Sequence, residues 1–527
     1  MSLPNRNNSY NFDEYLTWRH QLNVLGDDPF LNRVITHFAQ DLTDEMRLDL
    51  QQFATRLSQD WLPLADESGK PENAPYMQHF DGHNHRIDRI VRPSSTLTME
   101  QAIWDEAIFS EAVHPWVRFI KIFLLCQLGE SGINCAHCCT GGLIMILEQF
   151  AESPETQHIL QHLKEGIDGD YAIGAQFLSE IQGGSDVAAN QVEAVRENGE
   201  WRIYGTKFFC SAAHADYAVI TAKPKDSEAV GVFVVPSWLP GDKARENRNG
   251  YLINKLKSKL GTRELPTAEI TYTGALAYPL GDLKRGLANI VGIVLSHSRF
   301  VTGLSAGAQL LRVAREAKAY SEIRSVFGIT IKDFGLVKSQ LDRIESAAQL
   351  STAGAFKLQH EILTLENALP GSIDATKLKQ RQFHTRILIM LQKFVACSDS
   401  VIAHEEAMSV LGGHGLMEDF SALPRLYRDA VVLNGAWEGP RNLLLTRIFM
   451  DIKKSVAWYE PQCFVRNLLE TATDAQVKQL SDEITDLIQY PTLTGTDSKT
   501  IEVCQRWDQL CTNLFHCYQQ QAFNEIN

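Results

Sequence analysis

The chain has 527 residues, 44% hydrophobic and 22% charged, with a formal net charge of −14. That length exceeds what one hydrophobic core serves, and the acidic balance opposes a general nucleic-acid role, because neutralising phosphates needs clustered Lys and Arg. No apolar run approaches the roughly 20 residues that cross a bilayer, so no membrane span is expected. The opening Met1 to Asn8 has no apolar signal core, and Asp13 and Glu14 oppose an acid-poor transit peptide, which together suggest a cytoplasmic address.

From about Phe12 to Gly169, apolar residues recur at helical spacing, as in Phe119, Ile122, Phe123, Cys126 and Leu128, then Leu143, Ile144, Ile146 and Leu147. This pattern predicts a mainly α-helical domain over residues 1–169. From about Tyr171 the period shortens. Trp201, Ile203 and Tyr204, then Ala218 to Thr221, Gly231 to Pro236 and Ala268 to Tyr272 read as strands, and Asn198-Gly199 as a hairpin turn. A small β-barrel or sandwich is expected over residues 170–285.

After Gly286 long helical periods return, through Ile290, Val294, Val301, Leu304 and Leu310-Leu311, then Leu341, Ile344 and Ala348, then Arg386 to Val410. They predict a helical bundle over residues 286–452, broken at Gly328, Pro370-Gly371 and Gly412-Gly413-His414-Gly415. Leu480, Ile484, Leu487 and Ile488 predict an appended α segment over residues 453–527. Its Asp482, Glu483 and Asp486 read as a solvated helix face. The fold class is therefore mainly α with a central β domain.

Ten cysteines, several within apolar helical runs such as Cys126 and Cys397, read as reduced core thiols. Cys135-Ala136-His137-Cys138-Cys139 fits no zinc-ribbon or finger spacing, so no metal site is expected and helix packing is.

Two punctuated segments carry chemistry. Leu178-Ser179-Glu180-Ile181-Gln182-Gly183-Gly184-Ser185-Asp186-Val187 joins small hydroxyls to glycines that expose backbone N–H groups. Trp437-Glu438-Gly439-Pro440 sets a carboxylate on a tight turn, where it can serve as a general base. Alone, the first also reads as an ordinary turn, and Glu438 as a capping or ion-paired glutamate near Arg441.

In order and placement these pieces resemble the acyl-CoA dehydrogenase family of flavoproteins, over roughly Gln127 to Asp451. Phe177 to Asp186 is similar to that family's Thr-Glu-Pro-x-Ala-Gly-Ser-Asp loop, and Lys207-Phe208-Phe209-Cys210-Ser211 to its Lys-x-Trp-Ile-Thr strand. Arg324-Ser325-Val326-Phe327-Gly328 is similar to its Arg-x-x-Phe-Gly turn, and Leu411-Gly412-Gly413-His414-Gly415 to its Leu-Gly-Gly-x-Gly loop. Lys259-Leu260-Gly261-Thr262-Arg263, Leu423-Pro424-Arg425-Leu426-Tyr427-Arg428 and Trp437-Glu438-Gly439 resemble the AidB-like branch.

The resemblance implies FAD, an acyl-CoA or related acyl ligand, and a carrier flavoprotein that receives the electrons. It implies Glu438 as catalytic base; the place from which some members supply the base instead is Ser298. Ser179 and Ser211 stand where the family uses threonines toward the flavin, and a serine keeps the hydroxyl. Phe209 replaces a tryptophan that packs on the ring. Arg324 is implied to pair with the pyrophosphate, with Gly412, Gly413 and Gly415 beside it, often from a neighbouring subunit, hence a homo-oligomer, dimer or tetramer. Gln176, Leu178, Gly184, Ser185, Phe327, Leu411 and Asn442 complete the implied cofactor surroundings, and Ser185, Arg299 and Gly439 those of the substrate. The chain departs from the family pattern at Ser296, where many members have a CoA-contacting aspartate, and at Pro440 and Asn442. The AidB-like branch also includes proteins proposed to bind acyl groups or protect DNA. A flavoprotein with weak or no turnover is thus the alternative, and DNA binding a third reading that the acidic C-terminal stretch disfavours.

Overall fold

The N-terminal third consists of α1 (Asp13–Gln21), α2 (Pro29–Phe38), α3 (Asp44–Arg56) and α4 (Leu62–Ser68), then a hairpin of β1 (Tyr76–Phe80) and β2 (Arg86–Val91). It continues with α5 (Ser94–Trp104), α6 (Pro115–Cys126), α7 (Ser131–Phe150) and α8 (Pro154–Glu165). The structure, a computed structural model, describes residues 11–369 and 372–527. The opening segment and the turn expected at Pro370-Gly371 lie outside the described residues.

Helix starts follow the capping residues: Asp28 accepts from Leu31 N at 2.8 Å ahead of α2, and Ser153 forms a capping box with Thr156 ahead of α8. The β1–β2 hairpin is a strand element that the mainly helical expectation for this region did not name. Its strands are short, mostly half-buried and interrupted by His, Asp and Arg, so no apolar alternation marks them. What holds it is buried Asp88, whose Oδ1 lies 2.6 Å from His79 Nδ1 and whose Oδ2 accepts from Ile253 N at 3.0 Å.

The middle region is β3 (Gly174–Phe177), β4 (Glu193–Glu197), β5 (Glu200–Ser211), β6 (Tyr217–Pro224), β7 (Gly231–Pro236), β8 (Tyr251–Leu256) and β9 (Thr267–Pro279). Sheet order is β3-β6-β4-β5-β9-β7, with β8 added to β9 and β7 paired back to β6. The β6–β7 pairing closes a ring of strands and removes its free edges. Asn198 and Gly199, at φ 50° and 89°, make the β4–β5 turn with Glu197 opposite Glu200.

The bundle contains α9 (Gly286–Asn289), α10 (Leu295–Ile323), the short hairpin β10 (Ser325–Val326) and β11 (Ile329–Thr330), then α11 (Gly335–Glu366), α12 (Ala375–Leu411), α13 (Leu423–Gly435) and α14 (Arg441–Ser455). Helix α10 lies against both α11 and α12. A Cβ on Gly303 would come within 2.6 Å of Gln392, and one on Gly307 within 3.1 Å of Ser351, so the missing side chains set the spacing of the three rods. The stretches Leu283–Ile323 and Ala375–Leu416 are, against the sequence reading, long and apolar enough to cross a membrane; their most apolar windows are 50% and 78% buried inside the fold. They are apolar because they form the middle of the bundle.

The C-terminal stretch forms α15 (Pro461–Leu468), α16 (Asp474–Leu487) and α17 (Ser498–Ile526). Helix α17 lies on the bundle: Trp507 is fully buried and donates to Leu445 O at 3.0 Å, and Lys357 pairs with Glu525 at 2.7 Å. The acidic face of α16 is neutralised locally, Asp482 by Lys478 and Asp486 by Arg506.

Candidate active site

Helices α13 and α14 are joined by the turn that carries Glu438. Glu438 itself has φ 58°, a left-handed backbone that costs a non-glycine residue about 1–2 kcal/mol, and Gly439 follows at φ 106°. Strain of this kind persists only where surrounding contacts enforce it. Two buried cations supply them. Arg299, on α10, donates from Nε to Glu438 O at 3.0 Å. Lys393, on α12 and fully buried, donates from Nζ to Gly439 O at 2.9 Å and Asn434 O at 3.3 Å.

The carboxyl is held from the barrel side. Gln176, on β3, donates from Nε2 to Glu438 Oε1 at 3.0 Å, and its own Oε1 accepts from Ser298 Oγ at 3.1 Å. Glu438 Oε2 makes no hydrogen bond to a described residue. Although the side chain is only half-buried, enough protein surrounds the carboxyl that burial is the largest influence and pushes its pKa up to about 7. Arg299, Lys393 and the Gln176 hydrogen bond oppose that rise. The Cys138 thiol on α7 adjoins Ser298 and Glu438, and burial pushes it well above the usual thiol range. Arg441 is not the partner of Glu438: its guanidinium grips Asp508 of α17, Nε to Oδ1 at 2.9 Å.

The loop after β3 is shaped by a buried ion pair. Lys207 donates to Glu180 Oε1 at 2.7 Å and Leu178 O at 3.3 Å. The other Glu180 oxygen accepts from Gln191 N at 2.6 Å. Burial lowers the Lys207 pKa, and the Glu180 pKa is lowered by Lys207 against the effect of burial. The pair fixes Ser179, whose carbonyl accepts from Phe208 N at 2.9 Å. Phe209 and Ser211 lie two residues apart on β5, hence on one face; Phe209 is 46% exposed, and Ser211 Oγ is 3.2 Å from Thr267 Oγ1. Gly184 and Ser185 are exposed on the loop, and Leu178 is buried beneath it.

Gln176, Arg299, Glu438 and Gly439 therefore meet at one point, while Ser179, Gly184, Ser185, Phe209 and Ser211 belong to the loop and strand beside it. The remaining sequence-derived residues lie elsewhere. Arg324 caps the far end of α10 and Phe327, 96% exposed, tips the β10–β11 hairpin. Leu411 ends α12, and Gly412, Gly413 and Gly415 form the 3₁₀ turn after it. Tyr320 OH, 3.0 Å from His414 Nδ1, ties those two groups together. At 1.5 Å per residue, Arg299 and Ile323 are roughly 36 Å apart along α10. Asn442 is exposed in the first turn of α14.

Lys393 was not singled out by sequence, although a lone cation in the apolar run Ile387 to Val395 was the available signal. The two remaining branch segments form a junction. Thr262 N donates to Asp429 Oδ1 at 2.5 Å, Ser131 Oγ donates to Asp429 Oδ2 at 2.9 Å, and Arg425 pairs with Asp66 at 2.9 Å, so barrel, bundle and N-terminal helices meet there.

The model of the acyl-CoA dehydrogenase middle domain matches residues 175–275, and that of the acyl-CoA dehydrogenase C-terminal domain residues 284–452, together half of the chain. The chain belongs to the acyl-CoA dehydrogenase family. Acyl-CoA dehydrogenase family member 11 of Caenorhabditis elegans is 28% identical over 452 residues, 80% of this chain and 69% of that protein. Putative acyl-CoA dehydrogenase AidB of Escherichia coli K12 is 28% identical over 406 residues, 74% of this chain and 71% of that one. Among solved folds, the apo form of Bd2924 superposes with a TM-score of 0.84 at 23% identity, covering 96% of this chain and 98% of that one. ACDH-11 of C. elegans in complex with C11-CoA follows at 0.77 and 22%, covering 95% and 90%. The Bacillus anthracis acyl-CoA dehydrogenase complexed with FAD gives 0.67 at 15%, covering 96% and 90%. The α, β, α-bundle order expected from sequence is the order of this fold.

Proposed function

We propose that this chain is an FAD-dependent acyl-CoA dehydrogenase in which Glu438 removes the proton from the carbon beside the thioester carbonyl. The observation that carries this reading is the held carboxyl: Oε1 is fixed by Gln176, Oε2 is left to take the proton, and a pKa of about 7 suits a base working near neutrality. Arg299 and Lys393 fix the turn without quenching the carboxyl's basicity. The α-carbon proton can be taken by Glu438 alone among the groups gathered here, since Ser298 already donates to Gln176 and Cys138 holds its proton.

The residues present suit FAD. Phe209 offers an aromatic ring that is 46% exposed, with Ser211 on the same face of β5 and Ser179 tied by its carbonyl to the neighbouring Phe208 N, a fit for a flat, hydrogen-bonding ring. When bound, FAD supplies the hydride acceptor that no side chain can provide. The separation of roughly 36 Å along α10 leaves Arg324, Phe327 and the Gly412 to Gly415 turn to serve a neighbouring copy, which supports a homo-oligomer. Exposed Phe327, Leu336 and Leu416 at that end agree with a covered surface in the assembly. The C11-CoA complex of the C. elegans relative supports an acyl-CoA ligand. Electron transfer to a carrier flavoprotein and a cytoplasmic location belong to the same reading.

A second reading, an AidB-like flavoprotein that binds acyl groups with little turnover, is favoured by Ser296, whose hydroxyl turns back to Val291 O at 3.2 Å and brings no carboxylate to a CoA chain. Visible absorption under anaerobic conditions, before and after acyl-CoAs of graded length, separates the two. A flavin spectrum bleached by one thioester, with Glu438→Gln retaining FAD and failing to bleach, is the expected result. Tight acyl binding without bleaching by the unaltered protein would establish the second reading instead.

A further inference from the structure

A cavity of about 600 Å³ lies away from Glu438, where α15 and α17 cross the C-terminal half of α11 and the start of α12. Its size is that of a small-molecule site, and its lining has an excess of hydrogen-bond donors. Tyr518 OH and Gln521 Nε2, one turn apart on α17, have no hydrogen-bond partner among the described residues, although their side chains are 2% and 4% exposed. Gln521 Oε1 is already occupied, accepting from Thr471 N at 3.2 Å, so only the donor end is free. Tyr518 keeps its proton, because burial and the nearby Glu361, Glu525 and Glu470 raise its pKa well above the usual phenol range.

Neighbouring groups repeat the pattern. Tyr459 OH receives Asn467 Nδ2 at 2.9 Å, so its own proton points to His384 Nε2 at 2.5 Å. The His384 pKa falls to about 4 through burial and Arg381, which keeps the ring neutral and leaves N–H on Nδ1, a further donor with no hydrogen bond to a described residue. The acceptors nearby are mostly taken: Glu361 by Arg381 at 2.8 Å and Glu525 by Lys357. Lys377, on the same face of α12 as Arg381 and His384, pairs with no carboxylate among the described residues.

We propose that this cavity is a second ligand site, which binds the carboxylate or phosphate of a small polar molecule through Lys377, Arg381, His384 Nδ1, Tyr518 OH and Gln521 Nε2. Buried donors without acceptors are costly, and an oxyanion supplies several acceptors at once. The site is built from the C-terminal helices and the bundle together, so its occupant stabilises the seating of α17.

The test uses the full-length FAD-loaded protein, with inorganic phosphate and citrate as probes at constant ionic strength and chloride as the control, followed by calorimetry and thermal unfolding. Saturable binding of one probe with a rise in Tm beyond chloride is expected; phosphate alone identifies a phosphate-bearing ligand, citrate alone a carboxylate. Lys377→Gln should weaken that binding roughly tenfold, the loss of one charge-assisted hydrogen bond. Tyr518→Phe should weaken it several-fold while leaving the ligand-free Tm unchanged or higher. The proposal is overturned if neither probe exceeds chloride, or if both variants bind as the unaltered protein does.

Discussion

Replacing Lys393 with methionine tests whether the strained turn is part of the chemistry. The ammonium makes hydrogen bonds to Gly439 O and Asn434 O, and each charge-assisted bond contributes about 1.5–3 kcal/mol. The left-handed backbone of Glu438 costs about 1–2 kcal/mol, the same size as one such bond, so without Lys393 the turn is free to relax and carry the carboxyl away. A displacement near 1 Å costs about a hundredfold in rate. Lys393 also holds the Glu438 pKa down against burial; its removal lifts the pKa above about 7 and leaves less carboxylate at neutral pH. Steady-state dehydrogenation by Lys393→Met should therefore show kcat lowered about a hundredfold at pH 7, a pH–rate midpoint moved to higher pH, and unchanged FAD content. A variant with the original kcat and midpoint, or a midpoint moved to lower pH, would refute the reasoning.

The raised pKa of Glu438 has a thermodynamic counterpart. A carboxyl that titrates at about 7 when folded and 4.5 when unfolded favours folding below pH 4.5, and that contribution is lost as pH rises through 7. The penalty above pH 7 is at most on the order of 3 kcal/mol, so Glu438→Gln should melt higher than the original protein at pH 8 and equally at pH 4. Glu180→Gln, which strands buried Lys207, should cost about 3–5 kcal/mol in urea unfolding, with Glu180→Gln/Lys207→Met recovering most of it; no recovery would mean that the pair is not coupled. Trp507→Ala should cost about 3–5 kcal/mol in one cooperative transition. A separate early transition would show instead that α17 unfolds apart from the bundle.

The sequence made the large divisions legible because periodicity is local: a 3.6-residue pattern in α10 and α12, a shorter one in β5 to β7, and the Asn198-Gly199 turn each need only neighbouring residues. The glycine-rich segments were legible for the same reason. Lys393 was not, since its worth depends on carbonyls 41 and 46 residues away that only folding brings under it. Arg441 was read beside Glu438 by adjacency, but its charge is claimed by Asp508, 67 residues on. The β1–β2 hairpin escaped because its short strands carry no apolar alternation, and its anchor is Asp88 reaching Ile253 of the barrel. Gln176 belonged to the motif region, yet nothing in its neighbours announces the hydrogen bond to Glu438.

Because Gly303 and Gly307 bring α12 and α11 directly against α10, the helix between Arg299 and Arg324 has no slack. It works as a tie-rod whose two ends sit in different neighbourhoods. A bulky residue at position 303 would push the rod off Gln392 and displace both ends together, loosening the turn at Glu438 and re-aiming the β10–β11 hairpin. One substitution, a single helical turn from Arg299 and with no contact to the substrate carbon itself, would thus produce two losses at once.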